Sequence, residues 1–228
     1  MSTNDVLDLT VQGSGERLPV RLDRLVVAGY TAADEAAVAQ HIEELAAIGV
    51  PPPPTVPMFY ELDPALLSTG PRVEVTGPDT SGEVEPVLVR HRGRYFLGVG
   101  SDHTDRTVER RDVAEAKAIC PKPLAADVLE LGPDPSLPEW GGIELRSTVD
   151  GRPYQAGTAS ALRHPADLLE RMAATAGDRS GDLVLFCGTL PLLGGTFTPG
   201  GTWSLSLRLA PHTPLTHTYT TALRRESP

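Results

Sequence analysis

Between Ser81 and Pro121 the sequence gathers its most reactive side chains: Glu83 and Glu85 one residue apart, Asp102 beyond a second apolar stretch, and Lys117 after that. A strand repeats its side-chain direction every second residue, so Glu83 and Glu85 project from one face. Carboxylates that close repel, and a divalent cation between them relieves the repulsion. If the stretch before Asp102 runs back beside the first, three oxygen ligands converge and leave positions for water and substrate. That is what a Mg²⁺ or Mn²⁺ enzyme site needs. The same Glu-x-Glu pattern also describes the solvated face of an antiparallel sheet, and Asp102 alone reads as a turn or cap residue. Lys117 is either a surface lysine or, facing the site, the charge that offsets three carboxylates and binds a substrate oxyanion.

A second pair lies upstream. Thr31 to Ile48 is the clearest helix, with Thr31 and Asp34 as a reciprocal cap and Val38, Ile42 and Leu45 as an apolar stripe. His41 and Glu44 are three apart on it and therefore neighbours. They form either an exposed surface contact or a dyad in which the carboxylate orients an imidazole that activates water.

The elements that must position these groups are mostly strands. Val6–Val11 and Leu18–Val27 alternate around a GSGE turn. Strands are expected at 72–75, 84–89 and 95–99, the last two joined by the tight turn His91-Arg92-Gly93-Arg94. A short helix spans 111–119, and 124–141 is loop-like. Gly142–Thr148 and Arg152–Gly157 flank the hairpin signal Asp150-Gly151. His164-Pro165 opens a helix, Asp182–Cys187 is a continuous apolar run that reads as a buried strand, Trp203–Leu209 alternates, and Leu215–Leu223 is a final edge strand. His103, adjacent to Asp102, points elsewhere as a satisfied polar residue, and Arg106 reads as a structural partner of a carboxylate.

At 228 residues the chain can bury a sizeable core. Glycine and proline number 22 each and aromatics are 5%, a composition of many short strands, many turns and little helix. Twenty basic against 30 acidic residues give a formal charge of −10, which argues against nucleic acid or an anionic membrane as partner. No apolar run approaches the roughly 20 residues of a membrane span. The opening MSTNDVLDLTVQG has neither a basic segment nor an apolar core, so no signal peptide is expected and the cytoplasm is the expected compartment. Cys120 and Cys187 lack paired spacing and suit neither a disulfide nor a metal.

In order, these pieces resemble the fumarylacetoacetate hydrolase superfamily, in a branch like a domain-of-unknown-function family. Tyr30 followed by His41-Ile42-Glu43-Glu44 is similar to its lid segment, Asn-Tyr then His-x-x-Glu. Glu83-Val84-Glu85 resembles its Glu-x-Glu metal strand, and Asp102-His103-Thr104-Asp105-Arg106 its Asp-x-[Thr/Ser]-x-Arg segment, whose first Asp is the third ligand. Lys117 with Cys120-Pro121, Asp150-Gly151 with Gln155 and Gly157, and the run Gly181 to Thr189 complete the match. The sequence departs from the pattern at Pro86 inside the metal strand, at Thr107, at Leu190 and in the closeness of Lys117 to Cys-Pro.

The resemblance implies a mainly β (α+β) fold, a mixed β-sandwich roll with a few peripheral helices. Residues 1–70 would form a hairpin and lid helix, and 71–228 the metal-binding roll, as one structural unit and as a homodimer. It implies Glu83, Glu85 and Asp102 as ligands of Mg²⁺ or Mn²⁺, with His41, Glu44 and Lys117 catalytic. Tyr30, Gln155, Gly188 and Thr189 would bind a small 2-oxo acid or 1,3-dicarbonyl. The dyad favours hydrolysis of a C–C bond in an acylpyruvate-like substrate. Decarboxylation, hydration or isomerisation, or silent binding of an oxo acid, are the alternatives.

Overall fold

The computed structural model describes residues 6–47, 52–176 and 180–224, without the side chains of Ala37, His41, Glu44, Leu45, Ala47 and Ala176. In chain order, β1 (Leu7–Val11), β2 (Arg17–Val20) and β3 (Arg24–Gly29) precede helix α1 (Glu35–Ala47). Then come β4 (Met58–Leu62), the short β5 (Leu67–Ser68), β6 (Arg72–Val75) and β7 (Thr80–Ser81). The hairpin β8 (Val84–His91) and β9 (Arg94–Ser101) leads through β10 (Thr104–Asp105) into α2 (Arg106–Glu109) and α3 (Val113–Ala118). After β11 (Lys122–Pro123) and β12 (Asp127–Gly132) follow the hairpin β13 (Glu144–Val149) and β14 (Arg152–Thr158), α4 (Pro165–Ala176), β15 (Leu183–Phe186), β16 (Thr202–Arg208) and β17 (Leu215–Leu223).

These strands build two sheets, one of eight in the order β2-β1-β12-β9-β8-β15-β3-β4 and one of five in the order β14-β13-β16-β17-β6. Two-stranded ribbons, β10 with β7 and β11 with β5, sit beside them. Alternate residues of the central strands feed two cores. Val84 and Leu88 of β8, Leu183 and Leu185 of β15, and Val26 of β3 pack with Leu145, Trp203, Leu205 and Tyr219 of the five-stranded sheet. Val87 and Val89, Val184 and Phe186, and Leu25 and Val27 face the other way, into a cluster with Leu9, Val11, Leu18 and Phe96. The large sheet thus curls around an interior of its own. Strands buried on both faces must be apolar throughout, and β15 therefore reads as an unbroken run. Strands from 1–70 and from 71–228 share this one sheet.

Both tight hairpins form with two-residue turns in the left-handed region: Arg92 and Gly93 at φ 49° and 75°, Asp150 and Gly151 at 48° and 76°. Several boundaries differ from expectation. The run Leu18–Val27 breaks into β2 and β3 because β2 pairs with β1, whereas β3 crosses to β15 and β4. Helix α1 begins at Glu35: Ala32 bridges to Leu162 and the Ala36 N–H is bound by Asp34, so Thr31 lies outside the helix. The stretch 124–141 contains β12, which joins β1 in parallel to β9 in antiparallel. Val128 and Leu129 are both buried there, which removes the alternation a half-exposed strand would show. Finally β17 is no edge: β6 pairs in parallel along its outer side. Among the described residues no helix is long and apolar enough to cross a membrane.

Candidate active site

The register of one hairpin gathers the acids. Val84 pairs with Ser101 and Glu85 with Gly100, and one step further the Asp102 N–H donates to the Glu83 carbonyl at 3.0 Å. Glu85 therefore lies opposite Gly100, and Glu83 opposite Asp102, on one face of the β8–β9 ribbon. Gly100 must be glycine there, because a Cβ would stand 2.6 Å from Phe186 and 2.9 Å from the Pro123 carbonyl. Beneath the turn, the Glu83 N–H and the Tyr219 hydroxyl both donate to Ser101 Oγ, at 3.2 and 2.8 Å. His103 is fully buried between Tyr219 and Thr80, and burial lowers its pKa to about 3, with Lys122 and Arg106 adding to the effect. A neutral imidazole bonded on both nitrogens is part of the scaffold.

Asp102 is 1% exposed and carries two lysines. Lys117, in the last turn of α3, contacts Oδ2, and Lys122 lies 3.1 Å from Oδ1. Burial alone would raise the Asp102 pKa, but the two ammonium charges outweigh it and hold the carboxyl well below the usual range. Lys122 is wholly buried and also donates to the carbonyls of His103, Lys117 and Cys120 at 2.6, 2.8 and 3.2 Å. Burial, with Lys117's charge, lowers its pKa. Burial opposes Lys117's charge as well, yet Asp102, Glu83 and Glu109 raise its pKa.

Glu83 is paired with Arg106, whose guanidinium is 2.9 Å from Glu83 Oε2 and 2.7 Å from Glu109 Oε2. Arg106 also donates to Ser81 Oγ at 2.7 Å, and the Phe197 ring covers it at 3.6 Å. Arg106 thus has the structural role expected of it. Glu85 differs. It is 2% exposed, it accepts the Gly188 N–H at 2.8 Å, and among the described residues no cation pairs with it. Burial first, and the Asp102 charge next, push its pKa well above the ordinary value.

The end of β15 closes the site. Gly188 has φ +99°, and a Cβ on it would lie 1.7 Å from Thr31 Oγ1, so only glycine fits. Thr189 donates to the Val84 carbonyl at 2.8 Å, and Gln155 accepts the Val84 N–H at 2.8 Å. Both Gln155 N–H groups are committed, to Thr189 Oγ1 and the Leu190 carbonyl. Gln155 and Thr189 therefore clamp the peptide between the two glutamates. Tyr60 of β4 faces Lys117, whose ammonium is 5.7 Å from the Tyr60 ring centre, and Tyr30 follows β3 at φ 57°, close enough for the Lys117 charge to act on it. Burial pushes Tyr60 up to about 12 and raises Tyr30. His41 and Glu44 belong to α1, and their side chains lie outside the described residues.

In chemistry the donor set suits a hard dication: three carboxylates on one face, one of them buried with no paired cation among the described residues. In arrangement the protein's own cations hold two of the three. Among the described residues no three His, Cys, Asp or Glu side chains are gathered closely enough to bind an ion. Glu83, Glu85 and Asp102 are the residues that would hold it.

The family described as "Protein of unknown function (DUF2848)" matches residues 28–219. The chain belongs to the DUF2848 family. No curated protein matches it significantly. Among solved structures, this DUF2848 chain is similar to a proposed fumarylacetoacetate isomerase/hydrolase of Oleispira antarctica, with TM-score 0.68 and 20% identity over 94% of this chain and 99% of that one. A fumarylpyruvate hydrolase of Pseudomonas aeruginosa in complex with Mn²⁺ and pyruvate gives TM-score 0.63 and 17% identity, covering 98% and 99%. The 5-carboxymethyl-2-hydroxymuconate delta-isomerase of Mycobacterium smegmatis gives 0.61 and 21%, covering 91% and 82%. The fold of this chain is that of these solved structures.

Three site residues escaped the sequence reading. Glu109 and Tyr60 carry no motif. Lys122 follows Cys120-Pro121 between two prolines, where no periodicity tells a buried lysine from an exposed one. The strand Glu-x-Glu spacing did carry a signal, because it matches the period of two that sets both side chains on one face.

Proposed function

We propose that this protein is a divalent-metal-dependent hydrolase that cleaves a C–C bond in an acylpyruvate-like 2-oxo acid. The observation that carries this reading is the β8–β9 register, which brings Glu83, Glu85 and Asp102 to one face, with Glu85 buried and no cation paired to it among the described residues. Glu83, Glu85 and Asp102 would hold Mg²⁺ or Mn²⁺, which would supply Lewis-acid polarisation of the substrate carbonyl. His41, oriented by Glu44, takes a proton from the attacking water. Water adds to the acyl carbonyl carbon, the C–C bond breaks, and its electron pair moves into the pyruvyl group as an enolate. A proton is then delivered to the pyruvyl carbon that lost its acyl partner, so that pyruvate and the free carboxylic acid leave. Lys117, Tyr30 and Tyr60 face the negative charge that develops. Both phenols keep their protons near neutrality, since their pKa values are raised, and so act as donors. Gly188, Thr189 and Gln155 hold the Glu85 end of the site in shape.

The likeness to a delta-isomerase supports a second reading, tautomerisation at the same centre. Turnover of acetylpyruvate followed by ultraviolet absorbance, with and without chelator, tests the first. Metal-dependent loss of the diketone signal with one acetate released per turnover is expected, and chelator should abolish it. His41→Ala should lower the rate by about 10²–10⁴-fold. Loss of signal without acetate would favour the isomerase, and no change under any metal would overturn both.

A further inference from the structure

Two lysines on one buried aspartate are not equivalent, and the difference assigns them different jobs. Lys122 is caged: three backbone carbonyls and Asp102 Oδ1 surround its ammonium, and the residue has no exposure. Lys117, by contrast, has Asp102 as its hydrogen-bond partner among the described residues, with the face of Tyr60 nearby. It hangs from the last turn of a six-residue helix by a flexible four-carbon stem. Its charge also acts on Glu83, Glu85 and Glu109, so it stands near the electrostatic centre of the acids.

We propose that Lys117 is the built-in occupant of the cation position, and that a dication entering the site displaces its ammonium from Asp102 while Lys122 stays. This rests on the metal dependence proposed above. Arg106 offsets Glu83 and Glu109, Lys117 and Lys122 offset Asp102, and Glu85 is buried with no paired cation among the described residues. That near-balance keeps the cluster together by itself. A dication added beside an unmoved Lys117 would put two cations against the same aspartate oxygen, a repulsion that grows as water is excluded. Moving Lys117 off Asp102 frees Oδ2, and the ammonium swings toward Tyr60 and Tyr30, where an anionic substrate would meet it. Lys122 cannot follow without losing three carbonyl partners, so it continues to hold Oδ1.

The test is Mn²⁺ titration by calorimetry of the wild type, Lys117→Met and Lys117→Gln. With the competing charge removed, the variants should bind Mn²⁺ at least about tenfold more tightly than the wild type. Equal or weaker binding in folded variants would overturn the proposal while leaving the metal reading intact. Absence of Mn²⁺ binding in the wild type and both variants would overturn the metal reading itself. Should neither variant fold, a crystal structure of the wild type grown with Mn²⁺ decides. Lys117 away from Asp102, with Lys122 still on Oδ1, supports displacement, and Lys117 still on Oδ2 rejects it.

Discussion

Lys122 illustrates what a buried charge requires. Taking an ammonium out of water is unfavourable by several kcal/mol unless its protons are bonded and a counter-charge is near, and Lys122 has three carbonyls and an aspartate. Removing the charge strands Asp102 on one side and three carbonyls on the other. Lys122→Met should therefore destabilise the protein by about 3–5 kcal/mol, read as a lower urea midpoint at unchanged slope. Little of this could be read from residue type. Lys117 could be suspected because it lies on a helix upstream of Cys-Pro, whereas Lys122 has the same chemistry and no pattern around it. What distinguishes Lys122 is the convergence of carbonyls from His103 just before β10, from α3 and from the turn after it, and that exists only in three dimensions. The acids were easier. Glu83, Glu85 and Asp102 follow from strand period and hairpin register, both local properties.

At the scale of elements, the fit between β15 and the segment entering α1 is the tightest in the site. The Gly188 peptide turns at φ +99°, donates to Glu85, and packs its Cα against Thr31 Oγ1. Gly188→Ala should cost about 1–3 kcal/mol from the backbone conformation, with the clash added. Combining it with Thr31→Gly should recover the steric part alone, so the double variant should melt between Gly188→Ala and the wild type. Full recovery would mean that φ is not strained, and no recovery that Thr31 is not the obstacle. The hairpins around Arg92-Gly93 and Asp150-Gly151 were legible because two-residue turns need particular residues. The strand β12 was not, since its neighbours β1 and β9 come from distant parts of the chain and bury both its faces. The split of Leu18–Val27 at a polar corner was hidden for a similar reason. Only the partner strands show that β2 and β3 go separate ways, with Asp23 binding the Asp182 N–H at the corner.

For the molecule as a whole, the curled eight-stranded sheet and the five-stranded sheet against it hold the acids at the end of the β8–β9 ribbon. The two cores share β3, β8 and β15, so the interior of the curl and the layer between the sheets should unfold together. The composition anticipated strands and turns but not their order, because sheet order is set by pairings across long stretches of chain. The paired lysines on Asp102 carry this into the life of the protein. A cluster neutralised from within does not wait for an ion in order to fold, unlike small domains that stay unstructured until metallated. On the metal dependence proposed above, newly made chains should mature first and load later, with ion supply setting the active fraction rather than the amount of protein. Extensive dialysis against chelator should leave the far-ultraviolet circular dichroism spectrum unaltered, and re-addition of Mn²⁺ should restore function within the time of mixing, with no refolding lag.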